Sequence, residues 1–162
     1  QMCIRDRSYG QVVGAINRIC DSTDLALTAA GGLPGELCKN WKTRSIGTFD
    51  CEFGFSCMGY EIAGGWGAKM ANPSREVIVF VGDGSYLMLN SDIYSTVLTG
   101  HKMIVIVCDN GGFSVINRLQ NFKGSASFNN LLQDCKVENL QGVDFVQHAT
   151  SMGALGLSLI HI

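Results

Sequence analysis

The stretch Glu76-Val77-Ile78-Val79-Phe80-Val81-Gly82-Asp83-Gly84-Ser85 decides the fold. Its apolar run is β-branched and aromatic, so it predicts a buried strand. The strand ends on a tight, oxygen-rich turn, Gly82-Asp83-Gly84-Ser85. A second pair repeats the design: Met103-Ile104-Val105-Ile106-Val107 leads into Cys108-Asp109-Asn110-Gly111-Gly112, and Asn110 falls 27 positions after Asp83. The apolar runs are continuous rather than alternating, the mark of a parallel sheet covered on both faces. Strands and helical patterns alternate along the chain. The expected fold is α/β: a doubly wound, mostly parallel sheet with helices on both faces.

Working outward, Val12, Val13, Ile16 and Ile19 recur at helical spacing and predict a helix ending at Cys20. Leu25 to Ala30 is a short apolar strand closed by Gly31-Gly32. Pro34 suits the first turn of a helix through Trp41. Residues 47–58 read as an irregular loop or short strand. Gly59 to Met70 reads as a helix despite Gly64, Gly65 and Gly67, which together cost ~3 kcal/mol against alanine. That cost calls for close approach of another backbone, a ligand, or the sheet itself. A helix is expected from about Leu87 to Leu98, a short helix or turn at Val115 to Leu119, a polar loop at Lys123 to Asn130, and a last helix capped by Asp144.

Composition bounds the function. The chain has 162 residues, 46% hydrophobic and 16% charged, with a formal net charge of −2. That is enough for one domain with a core, and it offers nucleic acid no basic footprint. No apolar run is long enough to span a bilayer. Seven cysteines occur without a CxxC pair, which argues against zinc and for reduced thiols in a cytoplasmic protein. Residues 1–8 and 157–162 lack periodicity, caps or partners and read as non-native tails flanking a domain at 9–156, itself an interior slice of a longer protein.

The two turns have the chemistry of a magnesium diphosphate site. Magnesium takes six oxygens near octahedral geometry. Asp83 offers a carboxylate, Asn110 a side-chain carbonyl and Gly112 a backbone carbonyl. A diphosphate and water would complete the set. Gly82 and Gly84 let the chain pass close to the phosphates, and the amides of Gly84 and Ser85 face the anion before a helix. The GxGxxG and GxxxxGK[ST] patterns are both missing, which demotes dinucleotide and nucleotide triphosphate readings.

Gly82-Asp83-Gly84 followed by Asp109-Asn110 resembles the paired motif of thiamine diphosphate enzymes of the pyruvate decarboxylase and acetolactate synthase type. Asp109 stands where the family has a first asparagine, and Asn110 keeps the metal-binding second one. Ser56-Cys57-Met58-Gly59-Tyr60 resembles the family's segment before the glycine-rich helix. The resemblance implies that Met58 is the wedge that bends the cofactor, and that the backbone carbonyl of Ser56 accepts its aminopyrimidine. The expected ligand set is thiamine diphosphate and Mg at Ser56, Met58, Gly82, Asp83, Gly84, Ser85, Asn110 and Gly112, with Asp83, Asn110 and Gly112 on the metal.

Longer strings match one branch of the family. They are Gly31 to Trp41, Phe49 to Phe55, Asp109 to Phe113 and Ile116 to Phe122. That branch hydrolyses the bond between two carbonyls of a cyclic 1,2-diketone in inositol breakdown. The alternatives within the family are a decarboxylase or carboligase, and outside enzymes a non-catalytic cofactor-binding module. The resemblance further implies a proton-relay glutamate in a separate pyrimidine-binding domain of the same or a second subunit of a homo-oligomer. Glu36, Glu52, Glu61, Glu76 and Glu138 do not lie in the motif for it, so this piece alone is expected to be inactive. Asn117 and Arg118 face either substrate hydroxyls or solvent, as do Asp50 and Glu52. His101 reads as surface, His148 as packing or surface, and Trp41 and Trp66 as packing.

Overall fold

A computed structural model of the chain describes residues 8–136, 138 and 142–158. Of the expected tails, only Ser8, Leu157 and Ser158 fall within them. Four parallel strands form one sheet in the order β2-β1-β3-β4: β1 is Leu25–Thr28, β2 Phe49–Cys51, β3 Val77–Gly82 and β4 Ile104–Cys108. The register sets Leu27 against Val79, and Phe80 against Ile106. β1 and β3 are buried throughout, apart from Gly82. β4 is only half-covered, and its Ile104 is 43% exposed.

Alternate residues of the central strands feed two cores. On one face Ala26, Ile78 and Phe80 pack with Val13 of α1 (Tyr9–Ile19) and Leu33 and Leu37 of α2 (Leu33–Asn40). On the other, Leu25, Leu27, Val77, Val79 and Val81 pack with Ile62 of α3 (Tyr60–Ala71), Tyr86 of α4 (Asp83–Met88) and Ile93 of α5 (Asp92–Thr99). Each such side chain contributes about 1.5–3 kcal/mol by leaving water. The doubly wound, parallel α/β expectation therefore holds. Trp41 is a packing group, edge-on to Phe80 at 5.8 Å.

Local chemistry explains the helix ends. Ser8 and Gln11 form a reciprocal capping box on α1. Pro34 lies in the first turn of α2. Asp144 accepts the Gln147 N–H at 2.9 Å and caps the last helix, α7 (Phe145–Ser151). α6 spans Ser114–Phe122, longer than the expected short turn. Gly65 is the glycine of α3 that packing demands: a Cβ there would lie 2.3 Å from Val79. The helix is pressed onto the sheet.

The expected single helix from Leu87 to Leu98 is corrected. α4 starts at Asp83 itself, and the chain breaks at residues 89–91 before α5. Leu89, in the break, packs on Gly59, where a Cβ would lie 2.7 Å from it and where φ is 93°. Gly84 and Ser85 thus lie within the first turn of α4 rather than ahead of a helix. Among the described residues no helix is long and apolar enough to cross a membrane.

Candidate cofactor site at the carboxyl edge

The strand order creates the crevice. From β1 the chain runs outward to β2, then crosses back to β3 on the other side of β1. The helices after β1 and β3 pack on opposite faces. The loops at the carboxyl ends of β1 and β3 therefore diverge, the place where open α/β sheets take ligands. Gly31-Gly32 follows one strand and Asp83-Gly84-Ser85 the other.

Asp83 joins the two expected metal turns. Its side chain is buried, and its Oδ2 accepts the Gly112 N–H at 2.7 Å while Oδ1 accepts the Asn110 N–H at 3.4 Å. Burial pushes its carboxyl above the ordinary carboxylate range, and these two backbone donors pull it partly back. Gly111 and Gly112 hold φ of 75° and 130°. A Cβ on Gly112 would lie 2.5 Å from the Asn130 carbonyl, because residues 130–132 strap this turn: Phe113 N–H donates to Asn130 O at 2.7 Å and Leu132 N–H to Gly111 O at 2.8 Å. The Asn110 amide donates to the Tyr9 hydroxyl, which orients it. Burial pushes the Tyr9 hydroxyl up, against the hydrogen bond from Asn110.

The segment 52–59 approaches the same turn. Met58 and Phe113 both lie against Gly84: a Cβ there would sit 2.6 Å from the Phe113 ring and 3.5 Å from the Met58 methyl. Ser56 adopts φ 54°, a left-handed conformation unusual for a residue with a Cβ. Glu52 braces that turn by accepting the N–H groups of Phe55 at 2.8 Å and Cys57 at 2.6 Å. Asp50 accepts from the Tyr60 hydroxyl at 3.0 Å. Both carboxylates thus have protein partners. All the expected cofactor residues, Ser56, Met58, Gly82, Asp83, Gly84, Ser85, Asn110 and Gly112, border this one edge.

The donor set suits a diphosphate with a divalent cation. Among the described residues no group of three or more His, Cys, Asp or Glu side chains is placed to share an ion. Neutral oxygens beside Asp83, the Asn110 side chain and the Gly112 carbonyl, could join such a cation to a bound anion. The amides of Gly84 and Ser85, in the first turn of a short helix behind the glycine turn, give that anion donors without side-chain bulk.

Sequence reasoning passed over Tyr9 and did not assign Glu61. Glu61 is wholly buried and accepts from Gly59 N–H, Ala30 N–H and the Ser85 hydroxyl. Its one signal in the sequence is a carboxylate inside the otherwise apolar run from Tyr60 to Ala63. Asn117 and Arg118 belong to α6, not to a solvated loop. Asn117 is 8% exposed, its side-chain oxygen has no hydrogen-bond partner among the described residues, and the Arg118 guanidinium packs on Gly32. His148 meets the Tyr86 hydroxyl at 2.9 Å, a packing role, and His101 meets Thr99 beside it.

A doubly wound sheet with paired glycine turns at its switch point defines a cofactor-binding domain. Residues 29–161 match the family model described as the thiamine pyrophosphate enzyme, C-terminal TPP binding domain, and the chain belongs to that family. More particularly, the chain is 40% identical over 154 residues to 3D-(3,5/4)-trihydroxycyclohexane-1,2-dione hydrolase of Bacillus thuringiensis (strain Al Hakam), covering 93% of this chain and 24% of that protein. It is 46% identical over 117 residues to 3D-(3,5/4)-trihydroxycyclohexane-1,2-dione hydrolase 2 of Bacillus cereus (strain ZK / E33L), covering 72% of this chain and 18% of the relative. The chain thus spans about a quarter or less of the length of these relatives. A solved structure, a thiamine diphosphate-dependent 4-hydroxybenzoylformate decarboxylase from Rhodococcus jostii RHA1, shares the fold with a TM-score of 0.78 at 17% identity, over 90% of this chain and 26% of that one.

Proposed function

We propose that this chain is the diphosphate- and magnesium-binding part of a hydrolase that opens a cyclic 1,2-diketone, trihydroxycyclohexane-1,2-dione, to 5-deoxyglucuronate in myo-inositol breakdown. The observation that carries the reading is the junction at Asp83, whose carboxylate draws the Asn110-Gly112 turn onto the Gly82-Asp83-Gly84 turn. The names of the relatives support the substrate class.

In this reading Asp83, the Asn110 side-chain oxygen and the Gly112 carbonyl hold the magnesium. Gly82, Gly84 and Ser85 lie against the diphosphate. Met58 supports the bend of the cofactor from above Gly84, and the Ser56 carbonyl, aimed by the left-handed turn, accepts from its amino group. Bound there, the cofactor would supply nucleophilic-carbon and electron-sink chemistry. The relay glutamate and the other wall of the cleft come from a pyrimidine-binding domain of the same or a second subunit of a homo-oligomer. Exposed apolar groups on this segment, Phe55 at 91% and Phe53 at 57%, suit such a wall. The free thiols, Cys20, Cys38, Cys51, Cys57, Cys108 and Cys135 among the described residues, suit a cytoplasmic setting.

The test is an assay of the chain within its full-length protein, loaded with magnesium and thiamine diphosphate. Ring opening of the cyclic diketone without pyruvate consumption is the expected result. Turnover of pyruvate instead would make it a carboligase or decarboxylase. Cofactor binding with neither activity would make it a binding module.

A further inference from the structure

Glu61 stands at the second position of α3 with none of its surface exposed. Neither ion pair found among the described residues includes it. Oε2 accepts the Gly59 N–H at 2.9 Å and Oε1 the Ala30 N–H at 3.3 Å. The Ser85 hydroxyl lies 2.9 Å and 2.8 Å from the two oxygens, and it accepts the Gly59 N–H at 2.7 Å. Every neighbour is a donor, which matches a carboxylate's acceptor-only chemistry.

Burying a carboxylate without a cation is costly, and three donors from three different segments offset it here. Ala30 lies in the loop after β1. Gly59 follows Met58 directly. Ser85 lies two residues beyond Asp83. A helix that needed only an N-cap would use a side chain at position 59, but Gly59 has none and its φ of 93° forbids one. The carboxylate is spent on joining the segment of Met58 to the turn of Asp83.

We propose that Glu61 is a positioning residue that fixes the separation between Met58 and the Asp83 turn, and with it the bend of the bound cofactor. The proposal rests on the thiamine diphosphate reading above. It deepens that reading by splitting two tasks. The contacts of Asp83 with Asn110 and Gly112 run through a different loop, so losing Glu61 leaves the diphosphate anchor in place. What loosens is the seat of Met58, whose methyl faces Gly84 on the same turn as Ser85.

The experiment uses the full-length protein as wild type, Glu61→Gln, Glu61→Ala and Asp83→Ala. Two quantities are read: magnesium-dependent affinity for thiamine diphosphate, and the hydrogen–deuterium exchange rate of the acidic thiazolium proton of the bound cofactor, followed by acid quench and NMR. Glu61→Ala is expected to bind within about threefold of wild type while proton exchange and kcat fall about 10²-fold, the scale of an ångström-sized misplacement. Glu61→Gln falls between, because its amide keeps one acceptor and turns a donor toward another donor. Asp83→Ala loses affinity instead.

Wild-type exchange in a Glu61→Ala protein that binds the cofactor would overturn this proposal alone. So would affinity and exchange falling in parallel in every variant. If Glu61→Ala does not fold, Glu61→Gln decides by the same two readings, since it keeps the size of the side chain and turns a donor toward the donors around it. A wild-type protein that binds no thiamine diphosphate would overturn the cofactor reading, and this proposal with it.

Discussion

The carboxylate of Asp83 accepts the backbone N–H of Gly112 at 2.7 Å across 29 residues of sequence, bringing the ends of two neighbouring strands to one point. Asp83→Ala is expected to abolish the magnesium dependence of thiamine diphosphate binding. It also strands two backbone donors, each worth about 1–3 kcal/mol when left unmet, while relieving the burial of a charge. The net loss of stability should therefore be small beside the loss of binding. His101→Ala, whose ring hydrogen-bonds to the Thr99 hydroxyl outside the site, should leave binding unchanged. Titration with and without magnesium checks both, and equal affinity in the two variants would defeat the assignment.

Two glycines of α3 should respond in opposite directions. A Cβ at Gly65 would meet Val79 at 2.3 Å and the Met103 sulfur at 3.2 Å, whereas one at Gly67 meets nothing within 4 Å. Gly65→Ala should cost about 1–3 kcal/mol through overpacking against the sheet. Gly67→Ala should gain up to about 1 kcal/mol through helix propensity and reduced freedom of the unfolded chain. Urea denaturation reads both, and a stabilising Gly65→Ala would contradict the packing of α3 on β3.

These contrasts show what the sequence could convey. β3 and β4 were legible because their burial writes itself as unbroken apolar runs, and the site was legible because both turns follow those runs directly. β2 was legible only as an irregular loop or short strand, since three half-buried residues gain strand geometry by pairing with β1. The break between α4 and α5 was not legible, because what Leu89 packs against there, Gly59, lies 30 positions away. Glu61 lacked a local signature for the same reason. Its three partners come from the loop after β1, the residue before α3 and the first turn of α4, and only the folded chain brings them together.

The 52–57 turn should loosen in acid. The N–H groups of Phe55 and Cys57 hold the half-buried Glu52 carboxyl below the ordinary carboxylate range. A folded value below the unfolded one means that the brace is fully present above the ordinary glutamate value of 4.5, and is lost as pH falls through the folded value. Amide exchange at Phe55 and Cys57, corrected for intrinsic rates, should accelerate across that window. Glu52→Gln should remove the pH dependence. Exchange indifferent to both would show that Glu52 does not brace the turn.

Ser56 holds a left-handed backbone at φ 54°, which costs a residue with a Cβ about 1–2 kcal/mol. Ser56→Gly should recover part of that cost and give up some through a freer unfolded chain, so its stability should change by less than about 1 kcal/mol. Ser56→Val should lose about 1–3 kcal/mol, as β-branching is poorly tolerated there. If instead Ser56→Val were neutral, the left-handed geometry would not be what the turn requires. Thermal unfolding separates these outcomes.

Thiol reactivity offers a probe of the site that needs no substrate. Burial pushes the Cys108 and Cys51 thiols up to about 11, so near neutral pH few of either are thiolate, the reactive form. Cys57 and Cys38 are exposed. Brief alkylation of the native protein should therefore mark Cys57 and Cys38, and reach Cys108 only on unfolding. Cys57 lies between Ser56 and Met58, whereas Cys38 lies on α2. Magnesium with thiamine diphosphate should slow labelling at Cys57 and leave Cys38 as it was. Peptide mass spectrometry reads each thiol separately, and equal rates at Cys57 with and without the cofactor would place the bound ligand away from this segment.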